Sequence, residues 1–185
     1  MRPTSSTVLA LLAAAGVACV GFVAAAQPAS AAEGRREIPQ SLVLEHQETL
    51  AHLSVLAQRP GPVGARAREA MALFERHAAR EEAYILPPLT LLPDLADGKV
   101  TPDMAWAMAM TDRVKAEREQ IFQEHTEMTA VLNALLAAGE RANDHDAVEF
   151  ARAAATDSLN DLELLEPTVE VIGEVLHAKL PAVGQ

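Results

Sequence analysis

Residues 63–88 read VGARAREAMALFERHAAREEAYILPP. Ala70, Leu73, Phe74, His77, Glu81, Tyr84 and Ile85 recur at three- and four-residue steps, the spacing of one face of an α-helix. Pro87-Pro88 closes the run, because proline has no N–H to donate and its ring clashes with the preceding turn. The stretch therefore predicts a helix from Val63 to Leu86. Its buried face holds two polar intruders, His77 and Glu81, which sit four residues apart and so touch on the helix surface.

Working outward, Pro39 to Gln58 forms a first helix with Leu42, Val43, His46, Leu50, Leu53 and Ala57 on one face, ended by Arg59-Pro60-Gly61-Pro62. Leu89 to Val100, with Pro93 and Asp97-Gly98, reads as a loop. Thr101-Pro102-Asp103 then combines an N-cap, a first-turn proline and a first-turn acid. From Asp103 to Ala142 only Gly139 interrupts the helical pattern, and the stripe there is Ile121, Phe122, His125, Met128, Leu132 and Leu135. After the Ala142-Asn143-Asp144 joint, a fourth helix runs to Glu166, where Pro167 ends or kinks it. Val169 to Leu180 forms a short C-terminal helix. Four amphipathic helices with short joints predict an all-α, up-down-up-down four-helix bundle over residues 32–185.

Composition agrees. Half of the 185 residues are hydrophobic but only 3% are aromatic, and strand formers dominate no window. Cys19 is the single cysteine, so no intramolecular disulfide exists. The net charge of -11, from 26 acidic and 15 basic residues, makes nucleic acid and anionic membrane surfaces poor partners. Arg2 is the only charge before Glu33; an apolar run from Val8 to Ala26 follows it, then Ala29-Ser30-Ala31. Residues 1–31 thus read as a secretory signal peptide cleaved after Ala31. The rival is an uncleaved membrane anchor, disfavoured by Pro28 and the small-residue site. The expectation is an exported protein, periplasmic or extracellular, with no stable membrane insertion after cleavage.

The chemistry lies in polar residues that break the apolar stripes. His46 is framed by Leu42, Val43, Leu50 and Leu53, His77 by Leu73 and Phe74, and His125 by Ile121, Phe122, Met128 and Leu132. On the fourth helix Asp157 and Asp161 stand four apart, flanked by Phe150, Ala154, Leu164 and Leu165. A buried ionised carboxylate is costly unless a cation or ion pair compensates it. Counting from the bundle end at 1.5 Å per residue places His46, His77, His125 and Asp157 at depths of about 18, 21, 26 and 20 Å. All four fall at one level and can converge; by the same count residues 102–113 overhang the bundle or form a separate helix. One histidine on an apolar face reads as a hydrogen-bonded core residue, but three at one level with acids at i+4 read as a cation site. His52 points away from the His46 face, His145 sits in the capping region of the fourth helix, His177 lies on the C-terminal piece, and Glu117 and Glu119 read as a solvated face.

The order His46, His77-x3-Glu81, His125, Asp157-x3-Asp161 resembles the hemerythrin-like (HHE cation-binding) family. The string Phe74-Glu75-Arg76-His77-Ala78-Ala79-Arg80-Glu81-Glu82, with Pro87 beyond, is similar to that family's second-helix signature, and the resemblance covers Leu42 to Pro167. It implies a non-haem di-iron pair inside the bundle, or another divalent metal. By the same resemblance His46, His77, His125 and Asp157 are terminal ligands, and Glu81 and Asp161 bridge. The departure is Asp157, which stands ten residues before Pro167 where the family places histidine, as His77 stands to Pro87. A site richer in oxygen ligands follows, and oxygen carriage is put in doubt.

The function expected is an exported di-metal binding protein handling oxygen, nitric oxide or iron. An enzymatic version finds no second motif: HExxH, GxSxG, a phosphate loop and CxxC are all absent. The alternative is a metal-free helical bundle with a structural or interaction role.

Overall fold

The computed structural model describes residues 36–180, and every regular element among them is helical. The signal-peptide segment, residues 1–31, lies outside the described residues. Helix α1 spans Gln40–Ala57 and α2 spans Gly61–Arg80. The turn between them is tight: a Cβ at Gly64 would lie 1.8 Å from the Arg59 carbonyl oxygen, so only glycine lets α2 start this close to the end of α1.

Past Arg80 the helix widens into a π-turn, Glu81–Ile85, in which the Leu86 N–H donates to the Glu81 carbonyl at 2.8 Å. The residue opened out sits just before Pro87, whose ring would otherwise press on the turn behind it. Leu89 to Val100 is not the plain loop expected. A 3-10 turn, Pro87–Leu91, leads into α3, Leu92–Ala96, with Pro93 in its first turn, a position where a missing N–H costs nothing.

A 3-10 turn, Pro102–Ala105, opens the long α4, Trp106–Ala142, which spans about 55 Å and ends on Asn143 in the left-handed region (φ 53°). Asp144 then caps α5, His145–Asn160, by accepting from the Ala147 N–H. A second π-turn, Asp161–Leu165, carries the chain through Pro167 into α6, Glu166–Lys179. Pro167 therefore leaves the helix continuous, and the C-terminal helix begins three residues earlier than expected.

Helix α1 packs on α2, α2 on α4, and α4 on both α5 and α6. Residues 102–113, expected to overhang or stand apart, pack by one face, where Met104, Ala107 and Thr111 are buried. Met104, Ala107 and Val114 are buried in one apolar cluster with Tyr84, Ile85, Leu86, Val169, Ile172 and Leu176. Gly173 admits the close approach of α6 to α4, since a Cβ there would meet the Thr111 hydroxyl oxygen at 2.5 Å. The second cluster joins Leu53, Leu56, Ala67, Ala70, Met128, Leu132, Leu135, Ala147 and Ala151. Each fully buried leucine contributes roughly 1.5–3 kcal/mol. Along α1 and α4 the chain passes from the first cluster to the second, and along α2 and α5–α6 in the reverse order. Phe122, expected in the α4 stripe, is instead 50% exposed. No helix among the described residues is long and apolar enough to cross a membrane.

Candidate metal centre

Between the two apolar clusters lies a layer of polar side chains. His46 comes from α1, His77 from the last turn of α2, Glu81 from the first π-turn, His125 from mid-α4 and Glu166 from the start of α6; all five are buried. Each stands where its apolar stripe passes from one cluster to the other, which is why pattern reading could find the first four.

Glu81 is the hub. One carboxylate oxygen, Oε2, meets His46 Nε2 at 3.0 Å, and the other, Oε1, lies 3.4 Å from His77 Nε2. His46 also reaches Glu82 Oε1 through Nδ1 at 3.4 Å. The His77 and His125 rings meet edge to face with centroids 4.7 Å apart, and Phe74 packs against both His46 and His77. His125 Nδ1 is 3.0 Å from the Ser158 hydroxyl, which fixes the ring and turns Nε2 inward, 3.1 Å from Glu166 Oε1. That last contact is not aligned as a hydrogen bond. Glu81 Oε1, His125 Nε2 and Glu166 Oε1 are all buried polar atoms without a hydrogen-bond partner.

Burial and charge compete at each group. Burial disfavours imidazolium at His46, but the hydrogen bond and charge of Glu81 outweigh it and the pKa rises. The same contest at His125, with Glu166 as partner, also ends in a rise. His77 goes down, because burial outweighs the pull of Glu81. Glu81 itself is held below the usual carboxylate range: burial raises it, but the hydrogen bond from His46 and the neighbouring histidines win. Asp161 is pushed up to about 7, first by burial and then by the charge of Glu81. Glu166 is raised, chiefly by burial.

Donor atoms of His77, Glu81 and His125 lie within 4.8 Å of one another, so these three buried residues could hold a metal ion. The orphaned atoms make the fit specific. Glu81 Oε1 and His125 Nε2 belong to this group and have no hydrogen-bond partner among the described residues, and Glu166 Oε1 lies 3.1 Å from His125 Nε2; with His125 neutral, a cation would satisfy these atoms.

The expected residues thus separate. His46, His77, Glu81 and His125 come together. Asp161 is half-buried on the wall of the same small cavity, while Asp157 lines that cavity but remains exposed, outside the buried donor set. Glu166 is the residue the spacing rule missed. Counting four from Asp161 gives Leu165, but the Glu166 N–H donates to the Asp161 carbonyl, five residues back. The wider turn puts Glu166 on the Asp161 face. The signal available was the buried-stripe acid directly before Pro167. Two other readings change or stand: Glu117 is no free solvated acid, since it accepts the buried Tyr84 hydroxyl at 2.6 Å. His52 is indeed elsewhere, 3.0 Å from Asp146.

No family model, no curated protein and no solved structure matches this chain.

Proposed function

We propose that this protein is a metal-binding helical bundle of the hemerythrin-like type, holding a non-haem pair of ions, most simply iron, in the layer between its two apolar clusters. The observation that carries the reading is the buried group His77, Glu81 and His125, in which Glu81 Oε1 and His125 Nε2 lack a hydrogen-bond partner, with Glu166 Oε1 3.1 Å from His125 Nε2. Glu81 turns one oxygen to His77 and the other to His46, which supports a carboxylate shared by two ions. His77, His125 and Glu166 would serve one side of it, and His46 and Asp161 the other. In this assignment the terminal-ligand role expected of Asp157 passes to Asp161, and Glu166 would join His77 and His125 as a further carboxylate donor.

A bound di-iron pair would supply reversible or redox chemistry toward oxygen or nitric oxide. The chain's own contribution is to hold the donors, fix the His125 ring through Ser158 and exclude bulk water with Leu53, Leu86, Met128 and Leu132. The role is binding, with no catalytic residue assigned. The reading includes export, with a mature chain beginning at Ala32, which intact-mass measurement of the exported protein tests.

A metal-free structural bundle is the second reading. The His46–Glu81 pair favours it, since at 3.0 Å the two satisfy each other without an ion. Elemental analysis after anaerobic reconstitution separates the two. Two irons per chain, with an optical change on adding oxygen or nitric oxide, support the first reading; no bound metal leaves the second.

A further inference from the structure

The small cavity beside Glu81 has a volume of about 30 Å³ and is walled by residues of α1, α2, α4, α5 and the second π-turn. That is room for one or two water-sized occupants. Its floor is buried: His46, His77, Glu81 and Ser158, with Leu53, Leu86, Met128 and Leu132 around them. Only two of its lining residues are exposed, and both are acids, Glu45 on α1 and Asp157 on α5. The cavity therefore meets solvent where these two helices face each other. Helix α1 packs chiefly on α2 and only lightly on α5, so this is the thinly closed seam of the layer.

We propose that Glu45 and Asp157 form the port through which a divalent cation enters the buried centre, with Asp161 as the intermediate step. This rests on the metal-binding reading above and adds a route to it. Among the described residues no lysine or arginine lines the cavity, and neither Glu45 nor Asp157 is tied into a lysine or arginine salt bridge. Inward from the mouth, carboxylates follow at increasing depth: Glu45 and Asp157 exposed, Asp161 half-buried, Glu81 buried with Oε1 unpartnered. A hydrated cation is attracted first where it can keep its water. It then exchanges water for carboxylate oxygen in stages, so no single step strips the whole hydration shell. Acidic walls in a low-dielectric cleft raise the local cation concentration and the on-rate.

The test is cobalt(II) uptake by the metal-free full protein, followed by stopped-flow absorbance with the final stoichiometry measured separately. The E45Q/D157N variant is expected to reach the wild-type stoichiometry about tenfold more slowly at low salt, with the gap closing as salt screens the port. E127Q/E149Q removes the same charge from exposed positions off the cavity and is expected to load at the wild-type rate. Because both port residues are exposed and the changes isosteric, circular dichroism should be unaltered; the single variants E45Q and D157N should each show part of the slowing. Equal loading rates, equal slowing in the control pair, or lost stoichiometry without slowing would each overturn the port. A wild-type chain that takes up no cobalt overturns the metal reading itself, and the port with it.

Discussion

His77–Pro87 and Asp157–Pro167 are the same backbone device used twice. Each places a polar pair four apart, opens a π-turn at the second member and meets a proline six residues further on. What they deliver differs. In the first, His77 and Glu81 are buried in the polar layer and the residue before the proline, Leu86, is fully buried in the apolar cluster that borders it. In the second, Asp157 stays exposed, Asp161 is half-buried, and the pre-proline residue is the buried Glu166. The spacing to proline thus reports a backbone feature, not a ligand set.

The pre-proline pair is the place to break this comparison hardest. Leu86→Ala empties a fully packed site and should cost about 2–5 kcal/mol of stability while leaving the metal stoichiometry intact. Glu166→Leu should do the reverse. It removes a buried charge, so the metal-free protein should melt no lower than wild type, but the centre loses a donor and metal binding weakens sharply. Thermal melts and metal titrations of both variants give the answer; matched behaviour would mean the two positions play one role.

At the first member of each pair the expected effect is smaller. His77→Ala should lower metal affinity by at least about 10–100-fold, the loss that follows removal of a group that merely orients a ligand, whereas Asp157→Ala should shift the equilibrium affinity less than about tenfold. Equilibrium competition against a chelator checks this. Equal losses would return Asp157 to the donor set.

The acids at the second member respond to pH in opposite senses. Glu81 is depressed below 4.5 in the folded state, so its stabilisation is present above that value and lost as pH falls through its folded pKa. Asp161 is raised from 3.8 to about 7, so its contribution is complete below 3.8 and lost as pH rises through about 7. Asp161→Asn should therefore raise the melting temperature of the metal-free protein by several degrees at pH 8 and leave it unchanged or lower at pH 4. No shift at either pH would place Asp161 in solvent.

Much of this was legible in the chain, for identifiable reasons. Helix limits follow from punctuation that acts locally, such as Pro60-Gly61-Pro62 or the Asp144 cap. His46, His77, Glu81 and His125 showed because a polar residue in a regular 3.6-residue stripe is conspicuous. Glu166 did not show, because a π-turn shifts the register by one and counting by four passes over it. Asp157 looked equivalent to His77 because both stand ten residues before a proline, but its burial is set by α1, across a seam that sequence periodicity does not encode. The helix in Leu89 to Val100 was hidden for a similar reason: proline there starts a helix, while the same residue elsewhere ends one.

The finest test concerns the proline itself. Pro167 cannot donate to the Glu163 carbonyl, and its ring crowds that turn, so the π-turn opens and Glu166 bonds back to Asp161. Pro167→Ala restores a donor at 167 and removes the ring. The turn can then tighten toward α-geometry, which rotates Glu166 away from His125 by up to about 100°, the angle per residue of an α-helix. Stability should hold or rise slightly, since alanine is a better helix former, while metal affinity falls a few-fold. Pro87→Ala is the matched control. There the pre-proline residue is Leu86, so any rotation disturbs packing and lowers stability more than it weakens metal binding. Calorimetric melts and metal titration of both variants read the two effects separately. If Pro167→Ala binds metal as tightly as wild type, α4 packing alone positions Glu166 and the π-turn is incidental to the centre.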